Sequence, residues 1–183
     1  MINDLNQQLD RWLSRKRTPP LENIGFQYGF NTDYLKQVVQ HWRNKYQWKQ
    51  RQLQLNQYQH FKTNVNGLDM HFIRVPSKNS NGKRILPLLL LHGWPGSFKE
   101  FYGVIELLTT PKEGYDFVFE LVIPSLPGYG FSEGAARVGL GPPQIAVIMN
   151  NLMKRIGFDK YYVQGGDWGS FVGRVLGVLY PER

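Results

Sequence analysis

Gly165-Gly166-Asp167-Trp168-Gly169 places a carboxylate where a short apolar strand pattern, Tyr161 to Gln164, gives way to an apolar helix-like stretch. Small residues two before and two after the acid are what a nucleophile elbow requires, because that turn is strained and its flanks pack backbone to backbone. An aspartate in the nucleophile slot forms an ester with an electrophilic carbon. A second loop, Leu91 to Ser97, holds His92, Gly93, Trp94 and Pro95 after another apolar run. Glycines on both sides of Trp94-Pro95 permit a sharp path that turns the Trp94 amide into a cavity, and the Trp168 amide stands unpaired at the start of a helix. Two such amides converging on Asp167 form an oxyanion hole, each donor typically worth about 3–4 kcal/mol. His92, directly before a glycine, is read as bracing its loop rather than moving protons. Gly93, Pro95, Gly165, Gly166 and Gly169 are read as the residues that shape the two loops. Such an elbow recruits an acid and then a histidine from later in the chain, and no histidine follows Asp167. The sequence is therefore expected to carry the nucleophile without its acid, base or lid.

The elements that must hold these loops follow from periodicity. Phe61, Thr63 and Val65 alternate, Asn66-Gly67 is a tight hairpin turn, and Leu68 to Val75 forms the returning strand. Ile85 to Leu91 is a short apolar run of the kind a parallel strand covered on both faces shows. Ser97-Phe98-Lys99-Glu100 fits a capping box, with Phe101, Val104, Ile105 and Leu108 as the apolar face of the helix that follows. Phe117 to Ile123 reads as a strand, and Ile145 to Ile156 as a helix opened by Pro142-Pro143 and closed by Gly157. Strands alternating with helices after a hairpin predict an α/β fold with a mostly parallel sheet. Residues 1–60 read instead as a helical arm. There Thr32 is the expected cap of a helix whose Tyr34, Leu35, Val38, Val39, Trp42 and Tyr46 make one buried face. Residues 61–183 form the second domain, ending just after the elbow.

The 183 residues, 42% apolar and 14% aromatic, describe a globular chain. With no cysteine, disulfides and thiolate chemistry are excluded. His41 and His60 have no metal-ligand partners at useful spacing, so no metal and no cofactor is expected. The densest apolar run is far shorter than the roughly 20 residues that span a bilayer, and Asp4, Asp10 and Arg11 occupy the place of a signal peptide's apolar region. The net charge of +8 comes largely from Arg15-Lys16-Arg17 and from the span holding Lys36, Arg43, Lys45, Lys49 and Arg51. Interleaved apolar positions make the second a solvated helix face. No nucleic-acid partner is expected, whereas attraction to an acidic membrane surface is.

His92-Gly93-Trp94-Pro95, the stretch Pro124 to Ser132 and Gly165 to Gly169 resemble, in that order, the α/β-hydrolase-fold epoxide hydrolases. Leu21 to Gly29, the helix from Tyr34 to Trp48, and Phe61 to Phe72 look like the N-terminal domain of the microsomal type, which includes the insect juvenile-hormone epoxide hydrolases. The resemblance covers essentially the whole chain. It implies a partial α/β-hydrolase sheet behind the family's N-terminal arm, Asp167 as the nucleophile, the Trp94 and Trp168 amides as the oxyanion hole, and an apolar epoxide hydrolysed to a diol. It also implies a microsomal, endoplasmic-reticulum setting and a detoxifying or hormone-degrading role, or a cytoplasmic one for the chain without an anchor. Haloalkane dehalogenases, which share the Asp-Trp elbow, and a non-catalytic binding remnant are the alternatives. In that fold the elbow strand is central, so in this chain its far edge is expected to be open to self-association.

Overall fold

The computed structural model describes residues 2–77 and 79–183. The chain forms two compact units, one ending at Gln54 and one spanning Leu55–Arg183.

The first unit is helical. α1 (Ile2–Ser14) packs on α2 (Thr32–Lys45), with the Arg43 guanidinium forked onto Asp10 at 2.9 and 3.1 Å, and α3 (Trp48–Leu55) follows. Asn31, not Thr32, caps α2. Its backbone is extended and its Oδ1 accepts from the amides of Asp33 and Tyr34, while Thr32 is already the first helical residue. The periodic face of α2 also differs from expectation. Of its apolar positions only Val39 is buried; Val38, Trp42, Tyr46 and Tyr34 keep 40–49% of their surface. The pattern gives helical phase correctly, but burial needs an opposing surface, and α1 covers only the ridge around Val39. The uncovered remainder lines an apolar groove of about 630 Å³ with Ile2, Leu5 and Trp48. Not all of the basic charge is solvated either, since Arg17 stacks 3.6 Å above the ring of Trp12.

The second unit is an α/β sandwich. Its strands are β1 (His60–Val65), β2 (Leu68–Val75), β3 (Arg84–Leu91), β4 (Phe117–Pro124) and β5 (Tyr162–Gly165), in the sheet order β1-β2-β4-β3-β5. β1, β2 and β4 are antiparallel neighbours; β4, β3 and β5 run parallel. The hairpin closes as the Asn-Gly pair dictates. Asn66 and Gly67 take φ of 52° and 85°, the two positive values of a type I′ turn whose twist matches the strands. Ser97 caps a single 3₁₀ turn, Phe98–Phe101, and α4 (Tyr102–Thr109) begins only after it. The capping-box reading therefore set the α-helix one turn too early. α5 (Pro142–Arg155) starts on its proline pair, where missing N–H groups cost nothing, and Gly157 ends it at φ 95°. α6 (Trp168–Leu179) follows the elbow.

Strand alternation builds two cores. Leu88, Leu90, Leu121 and Ile123 face α4 with Ile105, Phe98 and Tyr102; Leu89, Leu91 and Val122 face α5 and α6 with Met149, Leu152, Val172 and Leu176. This two-sided cover makes β3 apolar at nearly every position and fixes its register, because a slip of one residue exchanges its faces. Ile105→Ala, at a fully buried position, is expected to cost about 2–5 kcal/mol by chemical denaturation. Val104→Ala, on the exposed side of the same helix, should stay within about 0.5 kcal/mol.

Candidate active site

β3 and β5 are parallel neighbours with Leu91 opposite Gly165, so the loops that leave their C-terminal ends emerge side by side. Open parallel sheets place their sites there. Tyr161 anchors the start of β5 on α5 through a 3.1 Å hydrogen bond from its buried hydroxyl to Asn150 Oδ1. Burial raises that phenol to a pKa of about 12, which keeps it a donor.

At the other end of β5 the chain turns sharply. Asp167 has φ 50° and ψ −123°, a conformation an L-residue adopts only when its surroundings enforce it. Those surroundings are backbone. A Cβ on Gly165 would strike the carbonyl of Gly169, and one on Gly169 would strike the carbonyl of Leu91. The end of β3, the end of β5 and the first turn of α6 therefore meet with no side chain between them. Ser170 holds the elbow from inside α6, donating to Asp167 O from its amide at 3.0 Å and its hydroxyl at 2.7 Å. Gly166 is different: a Cβ there meets nothing within 4 Å.

The Trp94 amide donates to Asp167 Oδ1 at 2.7 Å. That hydrogen bond first, and then the dipole of the neighbouring Trp168 amide at the start of α6, hold the Asp167 carboxyl below its ordinary range. Gly93 makes the approach possible, because a Cβ there would lie 2.5 Å from Asp167 Cβ and 2.6 Å from Oδ1. The next peptide bond, Trp94-Pro95, is cis. Exposed aromatic surface surrounds the acid: Trp94, Trp168 and Phe171 all remain open to solvent, with Trp168 and Phe171 in tilted contact at 5.8 Å. The site is an anionic oxygen pair on two amides within an apolar rim.

His92 lies beneath the loop, fully buried. Its Nδ1 is 3.0 Å from Gly93 O, and its Nε2 receives the Leu126 amide at 3.0 Å. A carbonyl only accepts and an amide only donates, so the ring is neutral with its proton on Nδ1, and neither nitrogen is left for a substrate. Burial lowers its pKa, in keeping with that form. The partner amide of Leu126 was not among the candidates read from the sequence. Pro124-Ser125-Leu126-Pro127 offered the only signal, a rigid loop after a strand, and nothing local ties it to His92.

Parallel strands, a strained elbow and an amide aimed at its acid define an α/β-hydrolase fold with an aspartate at the elbow. Residues 1–101 match the family described as epoxide hydrolase N terminus, and residues 87–183 match alpha/beta hydrolase fold. The chain belongs to the epoxide hydrolase family. It is 59% identical over 166 residues to juvenile hormone epoxide hydrolase 1 of Ctenocephalides felis, covering 91% of this chain and 36% of that protein. It is 47% identical over 186 residues to epoxide hydrolase 1 of Sus scrofa, covering all of this chain and 40% of that one. The crystal structure of the juvenile hormone epoxide hydrolase of Bombyx mori superposes with a TM-score of 0.93 at 47% identity, over 99% of this chain and 47% of that one. The chain thus spans well under half the length of these relatives.

Gly169→Ala is expected to lower unfolding stability by about 1–3 kcal/mol, the usual cost of overpacking, since two backbones would have to separate. Gly166→Ala, in open space, should change it by no more than about 0.5 kcal/mol.

Proposed function

We propose that Asp167 is the nucleophile of an epoxide hydrolase acting on apolar epoxides. The observation that carries this reading is the 2.7 Å hydrogen bond from the Trp94 amide to Oδ1 of an aspartate in a strained elbow. With Oδ1 held by the Trp94 amide, the attacking oxygen is Oδ2. It attacks a ring carbon, the carbon–oxygen bond of the epoxide breaks, and the ring oxygen leaves as an alkoxide that takes a proton from an acid. Oδ1 becomes the ester carbonyl. Water adding to Asp167 Cγ then places negative charge on Oδ1, already on the Trp94 amide, and collapse expels the diol. The amides are thus set for the charge that develops in the second step.

That second step needs an activated water. In the second unit His60, His71 and His92 each have both ring nitrogens engaged, so none is placed as the base. We assign acid, base and lid to the further length that the relatives possess. The match over residues 1–101 to an epoxide hydrolase N terminus favours an epoxide over an alkyl halide as substrate.

The reading extends to the surroundings. Trp42, Tyr46 and Trp48 beside the exposed Lys45 and Lys49 suit the water–lipid boundary of an anionic membrane. This supports an endoplasmic-reticulum surface and a role in clearing apolar epoxides. β5 has β3 on one side only, and its free edge suits an added strand, from the rest of the protein or from a second copy.

Residues 1–183 incubated with an activated terminal epoxide should gain one adduct, on the peptide that contains Asp167, with no diol beyond one equivalent. Asp167→Asn should abolish the adduct. The reactive form is the carboxylate and its pKa is lowered, so the rate should stay level as pH falls to about 4, the ordinary aspartate value, and drop only below it. Multiple-turnover diol formation, or an adduct that survives Asp167→Asn, would refute the assignment.

A further inference from the structure

His71 is buried against the sheet and takes no part in the chemistry above, yet it sits in a continuous hydrogen-bonded chain. Leu55 O accepts from the Tyr102 hydroxyl at 2.7 Å and lies 2.9 Å from His60 Nε2. His60 Nδ1 is 2.8 Å from His71 Nε2, and His71 Nδ1 is 2.9 Å from Ser125 Oγ. The direction of donation follows from the first link. A carbonyl can only accept, so His60 carries its proton on Nε2 and, when neutral, presents a lone pair at Nδ1. His71 must then donate from Nε2, which leaves its own Nδ1 as an acceptor for the Ser125 hydroxyl. All three protons are ordered one way.

The hydrogen-bonded chain ends at Ser125, one residue before the amide that holds His92. Ser125 is fully buried, and its backbone is tied to His71 twice more: its amide donates to His71 O at 2.9 Å, and its carbonyl accepts from Ser132 Oγ, which in turn accepts from the His71 amide. The next residue is Leu126, whose amide fixes His92 under Gly93 and Trp94. Phe98, at the far end of the same loop, packs edge-on against both imidazoles at 5.5 and 5.0 Å. The histidine pair therefore touches the Trp94 loop at both ends without approaching Asp167.

We propose that His71, with His60 and Ser125, is a positioning residue for the Trp94 amide at Asp167, acting through this one-way chain and through His92. The proposal rests on the reading of that site given above. Charging His71 would reverse the last link, because a second ring proton at Nδ1 would turn the Ser125 hydroxyl from donor to acceptor. The surroundings oppose it: burial first, then His60, then Lys62 opposite in register on β1 lower the His71 pKa to about 4.

The test is NMR on residues 1–183, and it does not depend on whether an epoxide reacts. Long-range ¹⁵N spectra should show His60 and His71 as Nε2–H tautomers and His92 as Nδ1–H. In Ser125→Ala and His71→Phe the carboxyl carbon of Asp167 should titrate at least about half a unit higher, because a hydrogen bond to its charged form weakens. The Trp94 amide should exchange about tenfold faster in both. Leu152→Ala, destabilised elsewhere in the core, should leave both readings unchanged. Should His71→Phe fail to fold, Ser125→Ala and the wild-type tautomers still decide. Unchanged Asp167 titration and Trp94 exchange in Ser125→Ala, or opposite tautomers in the wild type, would overturn the proposal.

Discussion

The close packing of three backbones, where the ends of β3 and β5 meet the first turn of α6, is the constraint on which the rest depends. Gly165 against Gly169, and Gly169 against Leu91, leave no space for a Cβ. Asp167 is held at a positive φ because the chain on either side cannot relax away. A strained residue persists only where its surroundings over-determine it. Here that over-determination comes from a sheet whose two apolar faces fix the register of β3 and β5. Packing far from the carboxylate is thus what points the carboxylate outward.

The same contact explains the electrostatics. Because α6 starts immediately after Asp167, the positive end of its dipole and its first free amide lie at the carboxylate. Because β3 and β5 are adjacent, the loop after β3 can deliver the Trp94 amide to Asp167 Oδ1. The two donors come from different loops, yet neither can move without shifting a strand end. An oxyanion hole, the role proposed for these amides, works by being arranged before charge develops; the sheet supplies most of that arrangement, and His92 braces the Trp94 loop from beneath.

This division between backbone and side chain also explains what was legible in the sequence. The hairpin at Asn66-Gly67, the helix opened by Pro142-Pro143 and the α/β order of elements are written in local residue types, and the structure has them. The glycines of the elbow are legible because only glycine tolerates such contacts. The arm was less readable. Periodicity gave the phase of α2, but whether Tyr34, Val38, Trp42 and Tyr46 are covered depends on what lies opposite, which no window of sequence contains. Asn31 and Thr32 are both good caps, and the choice fell to the one whose backbone was extended. The histidines were hardest. His60, His71 and Ser125 are far apart in the chain and meet only because β1 pairs with β2 and β2 with β4. Read alone, His60 showed only the absence of a metal-ligand partner; it is half-buried, and its partner His71 lies across the hairpin.

The buried imidazoles bear on the nucleophile through their charge state as well as their geometry. His92 accepts an amide proton at Nε2 and donates from Nδ1; protonated, it would set two donors face to face and push Leu126 away from the loop. A charged His71 would instead turn the Ser125 hydroxyl from donor to acceptor. A cation at either position would lower the Asp167 carboxyl further by attraction, but it would break the contacts that hold the Trp94 amide in place. Burial resolves the conflict by keeping both rings neutral. The carboxylate is then held down by two oriented dipoles and not by a full charge. That matters for the proposed ester-forming role, since a nearby cation would stabilise the attacking anion and so slow its attack, whereas the fixed Trp94 amide on Oδ1 serves the anion of the tetrahedral intermediate equally well.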